Sequence, residues 1–362
     1  MSLKLGIIGM PNVGKSTLLN ALTHAHAEAS NYPFCTIEKN VGVVAVDDPD
    51  LQALADALQP QEVTPATIEF VDIAGLVRGA SQGQGLGNKF LGHIRDVEAV
   101  VHVIRCFHDE NVAHVDGRVD PAADLEIVEA ELLLADLESL ERLHAREQAA
   151  AKANPKTAQA SLARIDALLT TVKRGVPLRR VALDEAQREW AREYGLLSIK
   201  PTVVVANVDE ADVGGGAWVE RLQAAAGPGV PVLPISVRIE EELAQLPPEE
   251  RAAFLRELGL EGSGLQRMVQ IGRTLLHLIT FYTIAHEKLR AWLIPAGTPA
   301  PQAAGRIHTD MERGFIRMEV MTVKDVLEHR TRAALHKHGL IRTEGHDYIV
   351  RDGDICQILF HP

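Results

Sequence analysis

GMPNVGKST, residues 9–17, is the stretch that decides the fold of this 362-residue chain. It satisfies G-x-x-x-x-G-K-S and sits between a short apolar run, Leu3 to Gly9, and a stretch of helical character, Thr17 to Ala29. Strand, glycine-rich turn and helix in that order form the context in which the motif holds phosphate. Gly9 and Gly14 let the backbone wrap tightly, and the amides of Asn12, Val13, Gly14, Lys15, Ser16 and Thr17 point inward as nucleotide-binding groups. Lys15 places an ammonium between β- and γ-phosphates and counts as catalytic, while Ser16 offers its hydroxyl to Mg²⁺. The spacing is not G-x-G-x-x-G, which excludes a dinucleotide dehydrogenase. No segment announces the acceptor pocket that a metabolic kinase requires.

Working outward, β-branched runs recur at Ile68–Ile73, Ala99–Arg105, Thr202–Ala206 and Val230–Ser236. Short apolar strands separated by helical stretches predict an α/β domain with a mainly parallel sheet. Nearly 100 residues separate the third and fourth strands. There Leu125, Val128 and Leu132 follow one helical line and Leu133, Leu137 and Leu140 its neighbour. After Asn154-Pro155 the period resumes at Leu162, Ile165, Leu168 and Leu169, predicting a two-helix arm inserted into the α/β domain. Gly264 to Thr283 reads as helical. Beyond it come strand candidates at Arg290–Pro295 and within 305–320, one helix from a Thr322 cap to a Gly339 stop, and a strand, Asp-Gly turn and strand over 348–360.

Further motifs complete the phosphate chemistry. VDIAG, residues 71–75, ends the second strand: Asp72 is placed to hold Mg²⁺ through water, and the Gly75 amide to meet the γ-phosphate. The four glycines in VRGASQGQGLGNKF, residues 77–90, suit a nucleotide-state switch. Between the two motifs lies Thr36, whose hydroxyl completes the metal shell when the loop closes. Its neighbour Cys35 is a redox candidate, its reactivity set by exposure and pKa. At the fourth strand's end, ANVDE carries Asn207, Val208 and Glu210 where many GTPases place N-K-x-D. The distal aspartate reads guanine N1–H and the 2-amino group, and a glutamate crowds that edge, so the pattern favours adenine. Asn207 still offers a donor–acceptor pair to the base, and a frame in which Asp209 contacts guanine stays open. Ser236 joins the nucleotide-binding set.

Composition bounds the partners. With 37 Lys+Arg against 49 Asp+Glu the net charge is −12, which argues against a general nucleic-acid coat. From Leu278 to Pro362, however, 11 basic residues meet 10 acidic ones, alongside 7 of the 15 histidines. A near-neutral module on an acidic body is the part suited to a polyanion. Three cysteines far apart make neither a zinc cluster nor a disulfide framework. No leader and no run of about 20 apolar residues is seen, predicting a cytoplasmic chain with no membrane partner.

These motifs in order, with NYPFCTIEKN at 31–40, VVHVIRCF at 100–107 and PQAAGRIHTDMERGFIR at 301–317, closely resemble the YchF subfamily of Obg-type P-loop proteins. The resemblance spans nearly the whole chain. It implies an Obg-type G domain (1–118 and 200–277), a helical coiled-coil insertion (119–199) and a C-terminal β-grasp-like TGS domain (278–362). It also implies a Mg²⁺-dependent ATPase, with GTP used less well, that associates with the ribosome, either its large subunit or the whole particle, and with ribosomal RNA through the arm and the TGS domain. Other proteins are further partners, and roles in translation or stress response follow. His114 matches the family position proposed to orient the attacking water, as Leu76 replaces the glutamine of many GTPases; in the sequence it lies in a loop before the arm, where an interdomain contact is the competing role. Candidate RNA contacts are Arg306, His308, Arg313, Arg317 and Lys324. The alternative is a binding protein in which the triphosphate is a conformational ligand and hydrolysis is slight, a reading that Leu76 favours.

Overall fold

The computed structural model describes residues 3–25, 40–73, 86–109, 111–112, 117–152, 155–260 and 262–361. Strand β1 (Lys4–Ile8) runs into helix α1 (Lys15–Ala25), then β2 (Val41–Ala45), α2 (Pro49–Leu58), β3 (Glu62–Thr64) and β4 (Thr67–Asp72). Helix α3 (Leu86–Arg95) and β5 (Ala99–Cys106) lead to the long helices α4 (Pro121–Ala151) and α5 (Pro155–Lys173). The chain returns through α6 (Glu185–Glu193), β6 (Thr202–Val208), α7 (Ala217–Ala226), β7 (Val232–Ile235), α8 (Val237–Gln245), α9 (Pro248–Glu257) and α10 (Gly264–Leu275).

The first sheet has the order β2-β4-β1-β5-β6-β7, parallel except for β2, which pairs antiparallel with β4. Strands β5 and β6 are buried along their whole length, as their unbroken apolar runs require. Alternate residues serve different cores. Val101, Val103, Val203 and Val205 join the cluster around α1 and β1, whereas Ile104, Cys106, Val204 and Val208 pack with Leu222 and Ala226 of α7.

The two leucine lines of α4 separate in the same way. Val128 and Leu132 belong to the main core and Leu125 to the α7 side, while Leu133 and Leu140 meet Ile165, Leu168 and Leu169 of α5. One helix therefore anchors in the α/β body with its first turns and builds the helical pair with the rest. Asp120 caps it, accepting from the Ala123 amide at 3.3 Å, and buried Asp136 accepts from the amides of Leu197 and Ser198 at 2.6 and 2.8 Å.

The C-terminal part comprises β8 (Leu278–Ala285), β9 (Lys288–Pro295), α11 (Ala300–Ile307), α12 (Thr309–Arg313), β10 (Phe315–Thr322), α13 (Val323–His329), α14 (Arg332–Lys337), β11 (Arg342–Glu344) and β12 (Asp354–Phe360). Its sheet has the order β11-β10-β12-β8-β9-β3. The last strand comes from the nucleotide-binding half: Glu62–Thr64 pairs in parallel with Lys288–Arg290. Tyr282 reinforces the seam, its hydroxyl donating to the Asp48 carboxylate (2.8 and 2.9 Å to the two oxygens). The main hydrophobic core runs unbroken from Leu54 and Phe70 to Tyr282, Leu289 and Ile355.

Three expectations are corrected here. The helix expected over Gly264–Thr283 stops at Leu275. His277 turns left-handed (φ +49°) and the β-branched residues beyond form β8. The single helix expected between Thr322 and Gly339 is two: Arg330 leaves α13 with φ +56°, and Thr331 caps α14 by accepting from the Ala334 amide. Thr322 does cap α13, accepting from the Asp325 amide at 3.1 Å. Of the terminal strand pair only β12 forms, with Ile349 making a single bridge to Pro299.

Candidate functional site

The site grows from the carboxyl end of β1. Gly9 has φ +151°, and a Cβ there would lie 2.3 Å from the Val103 carbonyl oxygen, so the strand end accepts no side chain. Gly14, at φ +97°, would put a Cβ 2.5 Å from Asn207 Nδ2. With Asn12 also left-handed (φ +61°), the backbone curls and delivers Lys15 as the first residue of α1. The first turn of α1 carries no acidic side chain, which leaves the positive end of the helix dipole to act on an anion.

Lys15 is buried, and its ammonium donates to the Met10 carbonyl at 2.8 Å. Burial lowers its pKa and the charge of Asp72 opposes that fall. Ser16 Oγ donates to Asp72 Oδ2 at 2.9 Å. The other carboxylate oxygen, Oδ1, is buried without a hydrogen-bond partner among the described residues. The Asp72 amide donates to the Asn40 carbonyl at 2.9 Å, joining the end of β4 to the start of β2. β1, β4 and α1 thus bring Lys15, Ser16 and Asp72 to one point, and the orphaned acceptor beside a hydroxyl suits a hard cation or its bound water.

Asn207 ends β6 and lies beneath the loop. Its Nδ2 donates to the Val13 carbonyl at 3.0 Å, and its Oδ1 accepts from the Val237 amide at 3.2 Å. It is a rivet between phosphate loop, β6 and α8, a role with no signature in the sequence because its partners lie 194 and 30 residues away. Val208 is buried with Ile104 and Cys106. Glu210 is exposed in a 3₁₀ turn, with Arg238 Nε 3.5 Å from its carboxylate. Asp209 turns toward the end of β5, accepting from the His108 amide at 3.3 Å. Ser236 occupies the N-cap of α8, buried and without a capping hydrogen bond.

Cys35, Thr36, Gly75, Leu76 and His114 lie outside the described residues. His102 is a packed strand residue: burial pushes its pKa down to about 3, and its Nε2 has no partner among the described residues. Cys106 and Cys356 are buried thiols whose pKa values burial raises. Arg313, Arg317 and Lys324 are exposed, and so is His308, whose Nδ1 lies 3.4 Å from the Asp310 carboxylate. Arg306 stands apart. It is half-buried, and the carboxylates of Glu98 and Glu69 oppose the lowering that burial imposes on its pKa. No described helix is long and apolar enough to cross a membrane.

Comparison with known proteins agrees with this architecture. Residues 4–134 match a family described as 50S ribosome-binding GTPase (MMR_HSR1), and residues 278–361 match YchF-GTPase_C, described as a protein of unknown function. Proteins named Ribosome-binding ATPase YchF are 46% identical over 362 residues in Escherichia coli O157:H7 and 44% identical over 365 residues in Bacillus subtilis (strain 168), each alignment covering 100% of both chains. The solved structure of the Schizosaccharomyces pombe YchF GTPase is 34% identical with a TM-score of 0.88, covering 99% of this chain and 98% of that one. With motif order, fold and full-length similarity in agreement, this chain belongs to the YchF subfamily of P-loop NTPases.

Proposed function

We propose that the protein is a Mg²⁺-dependent nucleoside triphosphatase switch that prefers ATP to GTP and works on the ribosome in the cytoplasm. The observation that carries this reading is the Ser16–Asp72 pair beside Lys15, with one oxygen of Asp72 left over. Those residues fit a magnesium ion: Ser16 and Thr36 would be direct ligands and Asp72 a ligand through water. Bound there, the ion would neutralise charge on the β- and γ-phosphate oxygens.

The chain's own contribution is positional. Lys15 exchanges the Met10 carbonyl for phosphate oxygens, and the amides from Asn12 to Thr17 cradle the same charge. Water attacks the γ-phosphate in line, with the Gly75 amide on that phosphate and His114 orienting the water, since Leu76 can form no hydrogen bond. Two features support adenine. Glu210 is drawn toward Arg238 on an exposed turn, and the Asp209 carboxylate already serves the His108 amide. Val208 and Ser236 shape the base-side wall.

The α4–α5 pair is the coiled-coil arm (119–199) and the sheet after residue 278 is the TGS domain, attached to a G domain formed by 1–118 and 200–277. The names of the relatives support ribosome association. Arg306, His308, Arg313, Arg317 and Lys324 contact ribosomal RNA, four of them from exposed positions and Arg306 from a half-buried one. Cys35, beside Thr36, would couple thiol oxidation to nucleotide binding in stress.

Affinities for non-hydrolysable ATP and GTP analogues, with and without Mg²⁺, test the base and metal assignments. ATP tighter by about tenfold, roughly 1.4 kcal/mol, is expected. Single-turnover hydrolysis with and without ribosomes, in the natural chain and His114→Ala, tests the enzyme. Acceleration by ribosomes that is lost in the variant supports the reading, and no γ-phosphate cleavage under either condition leaves a ligand-controlled binding protein.

A further inference from the structure

At the seam between the two sheets lies a cavity of about 340 Å³, at the small end of the range for small-molecule sites. Leu58 at the end of α2 forms one wall, Ile284 and Leu289 of the β8–β9 hairpin another, and Val326, Leu335 and Ile355 the floor. Leu289, Val326, Leu335 and Ile355 are each at most 3% exposed, so the interior is apolar and firmly packed from behind. Cys356, next to Ile355 on β12, borders it as well, but its side chain packs in the core on the other face of the strand with Phe281 and Val320.

Two guanidinium groups stand at the rim, and they differ. Arg332 is committed: it bonds the Glu319 carboxylate and the Gln357 amide oxygen. Arg330 is exposed and has no ion pair among the described residues. It leaves α13 in the left-handed region (φ +56°, ψ −24°), a position glycine usually fills, and so holds a cationic side chain where glycine would cost less. On the hairpin side of the rim Glu287 accepts a hydrogen bond from Gln61, and its negative charge opposes a second anion there.

We propose that this cavity binds a small amphipathic anion, its apolar body between α2 and the C-terminal sheet and its single acidic group on Arg330. An apolar interior rewards burial of a hydrocarbon or aromatic body, and one unpaired cation at the mouth selects charge and orientation. Because α2 supplies one wall and the C-terminal sheet with α13 and α14 the others, the ligand touches both halves of the protein.

The test uses 8-anilinonaphthalene-1-sulfonate as the anionic probe and N-phenyl-1-naphthylamine as its neutral counterpart. Both are titrated into the full chain with a saturating non-hydrolysable ATP analogue, which masks the nucleotide site. One saturable sulfonate site per chain is expected. Arg330→Glu, at an exposed position, should weaken the sulfonate by about tenfold and change the neutral probe by less than about twofold. Leu58→Trp, filling the cavity from a half-buried wall, should abolish both, and Leu134→Ser, on a leucine exposed on the arm, should alter neither. Sulfonate binding that is unsaturable, that survives Arg330→Glu at full strength, or that persists in a folded Leu58→Trp chain overturns the proposal.

Discussion

Asn207→Ala distinguishes a residue that reads the base from one that holds the phosphate loop in shape. The side chain is 6% exposed and serves two backbone groups, the Val13 carbonyl and the Val237 amide, on residues that are themselves 1% and 3% exposed. Truncation strands both in a dry environment, at about 1–3 kcal/mol each. A loss of ~3 kcal/mol in all is the working figure. For a cooperative unit of G-domain size each kcal/mol is about 2–4 °C, so melting should fall by roughly 6–12 °C. The decisive assay compares an ATP analogue with inorganic tripolyphosphate, which has no base. A rivet beneath the loop predicts that both affinities fall together, by about tenfold or more. If ATP binding weakens while tripolyphosphate binding and melting are unchanged, Asn207 acts on adenine and the reasoning from its two backbone bonds is refuted.

Three other outcomes are expected. Asp72→Ala should weaken an ATP analogue by about tenfold in Mg²⁺ and by less than about twofold in EDTA, measured by equilibrium titration; an equal loss in both would remove the metal from the role of Asp72. Tyr282→Phe deletes the bond to the Asp48 carboxylate, worth about 1.5–3 kcal/mol for a charged acceptor. Amide exchange should then accelerate in β8 and β9 but not in β6, and uniform exchange rates would show that the seam does not depend on this contact. His102 is neutral when folded, its pKa pushed down to about 3 from an ordinary value near 6.5. The unfolded chain therefore takes up the proton first: the stabilisation is whole above about pH 6.5 and is lost as pH falls toward 3, by up to ~1.4 kcal/mol per pH unit. Urea titrations at pH 7, 5 and 4 should show His102→Leu losing less stability than the natural chain, and parallel losses would contradict this.

The parallel sheet was legible because its central strands are buried on both faces and so are apolar throughout, as in Ala99–Cys106 and Thr202–Val208. The phosphate loop was legible because its glycines answer to backbone geometry alone. The two leucine lines of α4 marked a helix with two burial partners, although nothing in the spacing assigned each line to its core. Illegible elements owe their form to distant residues. Glu62–Thr64 is short and polar, and is a strand only because Lys288–Arg290 lies alongside. Residues 276–283 kept a helical apolar pattern, and left-handed His277 with the pairing of β8 to β9 decided against it. In the site, Lys15, Ser16 and Asp72 converge as their motifs indicate, whereas the bonds of Asn207 to both the loop and α8 exist only once the chain has folded.

That β3 closes the second sheet bears on how this protein can be taken apart. The segment from Val46 to Ala66 leaves the nucleotide-binding sheet, lends three residues to the other, and returns. A fragment beginning at residue 278 would carry β9 as a bare edge, with its amides and carbonyls open to any passing strand. Such a fragment should self-associate, and a synthetic peptide spanning residues 59–66 should suppress that association by restoring the missing neighbour. Cutting the gene where sequence similarity changes would thus divide one folding unit, and the order of synthesis acquires a consequence: β3 emerges from the ribosome long before the strand it must wait for.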